Sequence, residues 1–395
     1  MKRKYDTGLA LSFCLCSLLI LGSCDIDIGE WSQAKHERTV TQQTPLAPGS
    51  SVLVETKAGS ITVAGADVTD CNVTATISTR APTEEEARQM AEEVKIELEP
   101  AGQRLTLRAK YPALKRNRSI SVSFHVTVPN QTNVECTSSH GSIELTNLEG
   151  NARAKTSSGS VDARDIQGAV QLDTSYGSIS CKNISGQKIA AKSSSGSITA
   201  EKIRGSTEFH TSYGGVTCTD VSGGDVKLKA SSGKIALSLV SFGDCTAHTS
   251  YGSITADELK GKSIDLHSAS GSIRVTKASA ETVDVSTSYG RITCQQISTA
   301  GLTAKSGSGD VQITCSDSAP AEITAEAVSS YGSIDFAAPA DFAGQVELKT
   351  SYGSIKSDLP ITMTGEITKK HVQGKIGEGK GKLHLQTSSG SIKLR

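Results

Sequence analysis

A chain with eight histidines and 41 acidic residues among 395 has the raw material for many active sites, so spacing decides. Glycoside hydrolysis needs two carboxylates held on opposite sides of one bond. Asp162, Asp173, Asp265 and Asp284 instead fall at scattered positions of a solvated face. The histidines show no His-Glu-x-x-His arrangement and no other metal-ligand spacing. His210, His248 and His267 take a slot that other copies of the same segment fill with Lys, which reads as an outward polar ladder. A serine nucleophile of the hydrolase type sits in Gly-x-Ser-x-Gly, with acid and His partners downstream. The nearest approach, Ser306-Gly307-Ser308-Gly309, is one more copy of a turn. No glycine run follows the nucleotide-binding patterns. The expectation is no catalytic group, no cofactor and no metal.

What does recur is tyrosine. Tyr176, Tyr213, Tyr251, Tyr289, Tyr331 and Tyr352 each precede a glycine in the same phrase. Regularly spaced amphipathic rings suit a binding face and could stack on sugars. The alternative is that each ring packs over the glycine of its own turn. Two residues before the row run Thr156, Thr174, Thr211, Thr249, Thr287 and Thr350. Alternation points them partly inward, where hydroxyls satisfy backbone groups of turns.

These residues are positioned by a repeat. A Ser/Thr-Ser-(Ser or Tyr)-Gly-x-(Ile or Val) phrase recurs at steps of 18 or 19 residues from Gly141 to Gly309, with looser copies at Gly332, Gly353 and Gly390. A fixed period of this length marks stacked, near-identical units. Two residues after each glycine stands Ile or Val, and apolar residues continue at every second position. That is the pattern of a strand with one buried face. The segment before the glycine alternates too, so the phrase is the bend between two strands, with glycine supplying positive φ or close approach. A second turn, often at Gly168, Gly186, Gly205, Gly223 or Gly261, closes the unit. The fold predicted is all-β, a parallel β-solenoid with 18–19-residue repeats and one short N-terminal helix. A propeller would need roughly 40 residues per blade.

Ser and Tyr alternate before the glycine from Ser158 to Tyr331, and Lys155, Lys192, Lys229 and Lys305 and Cys181, Cys218 and Cys294 follow the same parity. Either two phrases share a coil of 37–38 residues, stacking Tyr on Tyr, or the alternation records duplication of a two-unit block. In-register stacking explains all three parities and favours the longer coil.

Charge is balanced, so no basic field argues for nucleic acid, and aromatics make up only 4% of the chain, in keeping with a thin core of small β-branched residues. Lys2, Arg3 and Lys4 precede an apolar run over 9–21, shorter than the roughly 20 residues that span a bilayer. It ends in Leu21-Gly22-Ser23-Cys24, which resembles a bacterial lipobox. The resemblance implies a signal peptide over 1–24, lipidation of Cys24 and a tether to one membrane leaflet. Seven cysteines follow, an odd number with no Cys-x-x-Cys. They read as small buried hydrophobes; in the longer coil, Cys181 and Cys218 would be the pair best placed to bridge.

Residues 25–50 read as a polar tether, 51–130 as a β-rich segment with one helix, and 131–395 as the solenoid. Thr83-Glu84-Glu85-Glu86 signals a helix start, with Thr83 as N-cap and Glu86 as its partner, running to about Val94. Strands are expected at Leu105–Ala109 and Ile120–Val128. The basic run from Lys110 to Arg118 reads as a solvated loop. The helix should help cover the N-terminal end, since exposed solenoid ends need capping.

The Pro-Leu-Ala-Pro-Gly entry at 45–49, Ala-Gly-Ser-Ile-Thr-Val at 58–63, the Glu-rich helix and Val126-Thr127-Val128-Pro129 lead in order into the Ser-Gly-Ser-Ile repeats. This resembles the "putative adhesin" family of bacterial envelope proteins, also catalogued as a domain of unknown function, over residues 45–395. The resemblance implies a β-helical protein of the surface or periplasm with no established enzymatic role. The expectation is a non-enzymatic, lipid-anchored envelope module whose partner is a glycan or envelope polymer. The alternatives are an envelope-stress or assembly component binding a protein and, further off, a polysaccharide-degrading β-helix enzyme.

Overall fold

The computed structural model describes residues 33–364 and 368–395. Cys24 and the segment read as a signal peptide lie outside the described residues.

Each coil starts where the phrase turns. The β-branched residue two after the glycine enters a strand and points inward: Ile143, Val161, Ile179, Ile198, Val216 and Ile235 are all buried. The neighbouring coil presents the same residue at the same height. Val161 pairs with Ile179, Ile179 with Ile198 and Ile198 with Val216, all parallel. Registers therefore step by one phrase, and one coil holds one phrase. The longer coil is corrected: Tyr176 stands between Ser158 and Ser195, not between two tyrosines. Cys181 faces Ala200 and Ala200 faces Cys218, so a whole rung separates the pair expected to bridge.

A coil has three bends. The first is the phrase itself. The second lies six residues after the glycine, at Asn147, Asp165, Asn183, Lys202, Asp220, Leu239, Glu258, Lys277 and Gln296, all left-handed with φ between 52° and 57°. The third falls near Gly168, Gly186, Gly205 and Gly223, where the sequence placed its second turn. Between the second and third bends one apolar residue per coil, such as Ile166, Ile184 or Ile203, plugs the core. Burying an Ile or Leu of this kind contributes roughly 1.5–3 kcal/mol, and each coil adds several to one continuous core.

Both ends are closed by strands that reverse direction. At the N-terminal end, Ile61–Ala66 pairs parallel with Ser119–Pro129, which pairs antiparallel with Asp70–Ala81, which pairs antiparallel with Ala34–Pro45. Residues 34–45 were expected to be tether and are strand instead. Their alternate side chains are half-buried, and the polar ones find carbonyl partners: Arg38 donates to the Ala91 carbonyl at 3.0 Å, at the end of the helix. On the other sheet, Ser51–Ala58 pairs parallel with Arg104–Lys110, which pairs antiparallel with Lys95–Ala101. The helix Glu84–Glu93 is capped by Thr83, whose hydroxyl accepts from the Glu86 amide at 3.3 Å. The Glu86 carboxylate turns to Arg118. Ala87, Met90 and Ala91 are buried, and the Thr79 hydroxyl donates to the Ala87 carbonyl at 2.7 Å. The helix thus packs on the closing strands, where it was expected.

At the C-terminal end the order along the axis departs from the order along the chain. Thr324–Ser329 pairs with Gly381–Thr387, and Gly381–Thr387 pairs in turn with Gly344–Thr350. On the companion sheet Ile392–Leu394 lies between Ile334–Ala337 and Ile355–Ser357. The last coil of the chain is therefore inserted inside the stack. His371–Ile376 then closes the end antiparallel to Gly344–Thr350.

Candidate functional site: the tyrosine corner

The first bend is built by two devices. The coils approach so closely there that a side chain has no room. A Cβ on Gly177 would sit 1.9 Å from the Gly159 carbonyl oxygen, and one on Gly252 2.0 Å from that of Gly233. Close approach, rather than positive φ, is what requires glycine at these positions. The second device is the hydroxyl three residues earlier. Thr174 donates to the Gly159 carbonyl at 2.8 Å and accepts from the Gly177 amide at 3.2 Å. Thr211, Thr249, Thr287 and Thr350 repeat both bonds, and Thr156 donates to Gly141. The buried hydroxyls satisfy turn backbone, as alternation predicted, and are not available to a ligand. Ala230 occupies this slot between Thr211 and Thr249 and breaks the ladder.

The tyrosines behave differently. Tyr176, Tyr213, Tyr251, Tyr289, Tyr331 and Tyr352 are 70–81% exposed. That excludes rings folded over their own glycines and leaves six aromatic faces standing in solvent along one corner.

Order on the corner follows from backbone bonds. The Tyr176 amide donates to Ser157, that of Ser195 to Ser175 and that of Tyr213 to Ser194. Further along, Tyr331 donates to Gly307, Ser389 to Ser330 and Tyr352 to Ser388. The inserted C-terminal coil therefore places Ser389 between Tyr331 and Tyr352. At the other end the Ser158 amide donates to Ser139 and the Gly59 amide to His140, so exposed His140 stands two rungs from Tyr176.

Elsewhere several polar groups are paired. His248 Nε2 lies 3.2 Å from Asp265 and its ring sits edge-on to His267 at 5.7 Å. Asp265 and Asp284 occupy adjacent rungs of the outer face in a shallow depression that Glu326, Lys382 and His384 also line. Burial, then the Asp265 charge, pushes the Asp284 carboxyl above its usual range. Asp265 is held by His248 and Glu326 by Lys305 at 2.8 Å, and Asp265 and Asp284 stand side by side on adjacent rungs of one face rather than on opposite walls of a cleft. Among the described residues no group of three or more His, Cys, Asp or Glu could hold a metal. The seven described cysteines are buried free thiols. Burial pushes Cys181, Cys245 and Cys294 up to about 12, which suppresses the reactive thiolate. No helix among the described residues is long and apolar enough to cross a membrane.

The left-handed bend is what sequence reasoning missed. Its signal was present: Asn or Asp, which tolerate that conformation best after glycine, fills the position in Asn147, Asp165, Asn183 and Asp220.

The chain resembles several solved structures. One is a "putative cell adhesion protein" from Clostridium sporogenes, with 8% identity and TM-score 0.18, covering 90% of this chain and 99% of that one. Another is a "putative adhesin" from Bacteroides fragilis, with 13% identity and TM-score 0.24, covering 91% and 97%. A third is a "putative lipid binding protein" from Parabacteroides distasonis, with 12% identity and TM-score 0.21, covering 90% and 96%. No curated protein matches. The Toastrack DUF4097 family matches twice, over residues 49–224 and 215–395, which takes in the early Gly59 phrase, the helix and every later coil. The chain belongs to the Toastrack DUF4097 family.

Proposed function

We propose that this chain is a non-enzymatic module of the bacterial cell envelope, held at a membrane by lipid on Cys24, that binds a glycan or envelope polymer through the tyrosine corner. The exposure of the six rings carries this reading, since large aromatic surface left in water on a rigid frame suits recognition. Asp265, Glu326 and His248 are engaged in ion pairs on the outer face, which argues against their use in chemistry on a substrate. The names borne by the similar structures, two of adhesion and one of lipid binding, are compatible with a surface role and contain no enzyme.

The test is binding of the purified full chain to an array of bacterial and host glycans, peptidoglycan included. Saturable binding that drops when Tyr213, Tyr251 and Tyr289 become Ala, with unchanged thermal unfolding, is the expected result. Absence of glycan binding would move the reading to a protein partner in the envelope.

A further inference from the structure

The Ser/Tyr alternation has two explanations, duplication of a two-coil block and a requirement of the surface. The C-terminal end separates them. Along the chain the residues before glycine run Ser308, Tyr331, Tyr352, Ser389, and the alternation fails. Along the axis they run Ser308, Tyr331, Ser389, Tyr352, and it holds, because the last coil is inserted between the two tyrosine coils. Duplication copies chain order, so it does not account for an alternation kept in space where chain order breaks. At the N-terminal end His140 takes the aromatic rung and Ser158 the serine rung before Tyr176.

Alternate rungs place the rings about 9.6 Å apart, twice the strand spacing. Adjacent rungs would let rings stack on each other about 4.8 Å apart; the serines keep them separate and leave a slot between each pair. The immediate flanks are hydroxyl-rich, with serine on most rungs before the row and after the glycine, and the charged ladder with Lys155, Lys192, Lys229 and Lys305 begins four residues before the glycine. The charged residues directly after the glycines are few, Lys234, Arg291 and Asp310, and the last two pair at 2.8 Å.

Building on the proposed function, the geometry points to a neutral, linear β-1,4-linked glycan lying along the solenoid axis, one disaccharide per tyrosine. Such a chain with two-fold symmetry turns the same sugar face outward once per disaccharide, a repeat that matches two rungs. Each ring takes the apolar C–H face of one sugar, and serine hydroxyls in the slots meet its hydroxyls. No charge on the ligand is called for. A polyproline peptide repeats at a similar length, about 9.3 Å per turn, but its recognition uses aromatic-lined grooves rather than isolated exposed rings.

The test titrates the full chain with cello- and chito-oligosaccharides from disaccharide to tetradecasaccharide, with α-1,4-linked maltooligosaccharides and polyproline alongside. Binding of the β-1,4 series is expected to tighten several-fold with each added disaccharide. Replacing Tyr213, Tyr251 and Tyr289 by Ala should weaken the long oligomers at least about tenfold. A second variant fills the slots, Ser195→Tyr, Ser232→Tyr and Ser270→Tyr. It keeps every native ring and should also lose at least about tenfold, whereas a merely sticky aromatic row would bind more tightly. Tyrosine-dependent binding with no dependence on length, linkage or filled slots would overturn the registered comb and leave the glycan-binding reading standing. Loss of all tyrosine-dependent glycan binding, or binding of polyproline alone, would overturn both.

Discussion

The Thr387 hydroxyl donates to the Gly332 carbonyl at 2.8 Å across 55 residues of chain, the same bond that Thr211 makes to Gly196 across 15. The ladder of corner bonds thus continues through a coil that arrives out of order. Deleting residues 381–395 should therefore open a gap inside the stack rather than trim its tip. Hydrogen exchange should show protection lost over 344–357 as well, with 143–311 unchanged. Retained protection at 344–357 would mean that this coil can dock directly on Thr324–Ser329.

Gly252→Ala places a methyl group 2.0 Å from the Gly233 carbonyl oxygen. The coils must separate locally, at a cost of about 3 kcal/mol. Gly301→Ala, whose Cβ would meet nothing closer than 3.7 Å, should be neutral or slightly stabilising. Denaturant midpoints of the two variants, compared at equal m-value, check the contrast.

Ala230 lies in register between Thr211 and Thr249 where neighbours carry a hydroxyl. Ala230→Ser should restore the missing bond to the Gly214 carbonyl and stabilise by about 1 kcal/mol. Thermal unfolding reads the change, and a lowered midpoint would show that the slot cannot take the hydroxyl.

His210 lies in register between Lys192 and Lys229. Burial, then these two charges, lowers its pKa below the usual histidine value. A histidine that resists protonation when folded costs nothing above its unfolded pKa. Its penalty grows as pH falls through that value toward the folded one. His210→Gln should match the wild type near pH 8 and be the more stable of the two near pH 5. Equal stability at both would show that neither burial nor the flanking lysines act on it.

Much of this architecture was legible because a ladder repeats its evidence. The inward Ile and Val after each glycine, the buried Thr hydroxyls and the Thr83 cap could all be read from period and residue type. The coil length could not. Parity in Tyr, Lys and Cys suggested a coil of two phrases, whereas the backbone registers step by a single phrase and put unlike residues on neighbouring rungs. The strand at 34–45 was hidden because an edge strand closing a stack carries polar residues such as Arg38 and Gln42, which look like linker. The place of Ser389 was beyond reach of any local pattern, since it depends on which coil the final strands choose to join.

That choice also fixes a sequence of events. A stack assembled in chain order could grow from one end as the polypeptide emerges, coil upon coil. Here the strand Gly344–Thr350 has its parallel partner only when Gly381–Thr387 has been made. A chain being synthesised can complete its coils as far as Ile334–Ala337, and must then wait with a strand edge uncovered until residues 381–394 arrive to cover it. Folding of this end is tied to strands far downstream of the ones they seal.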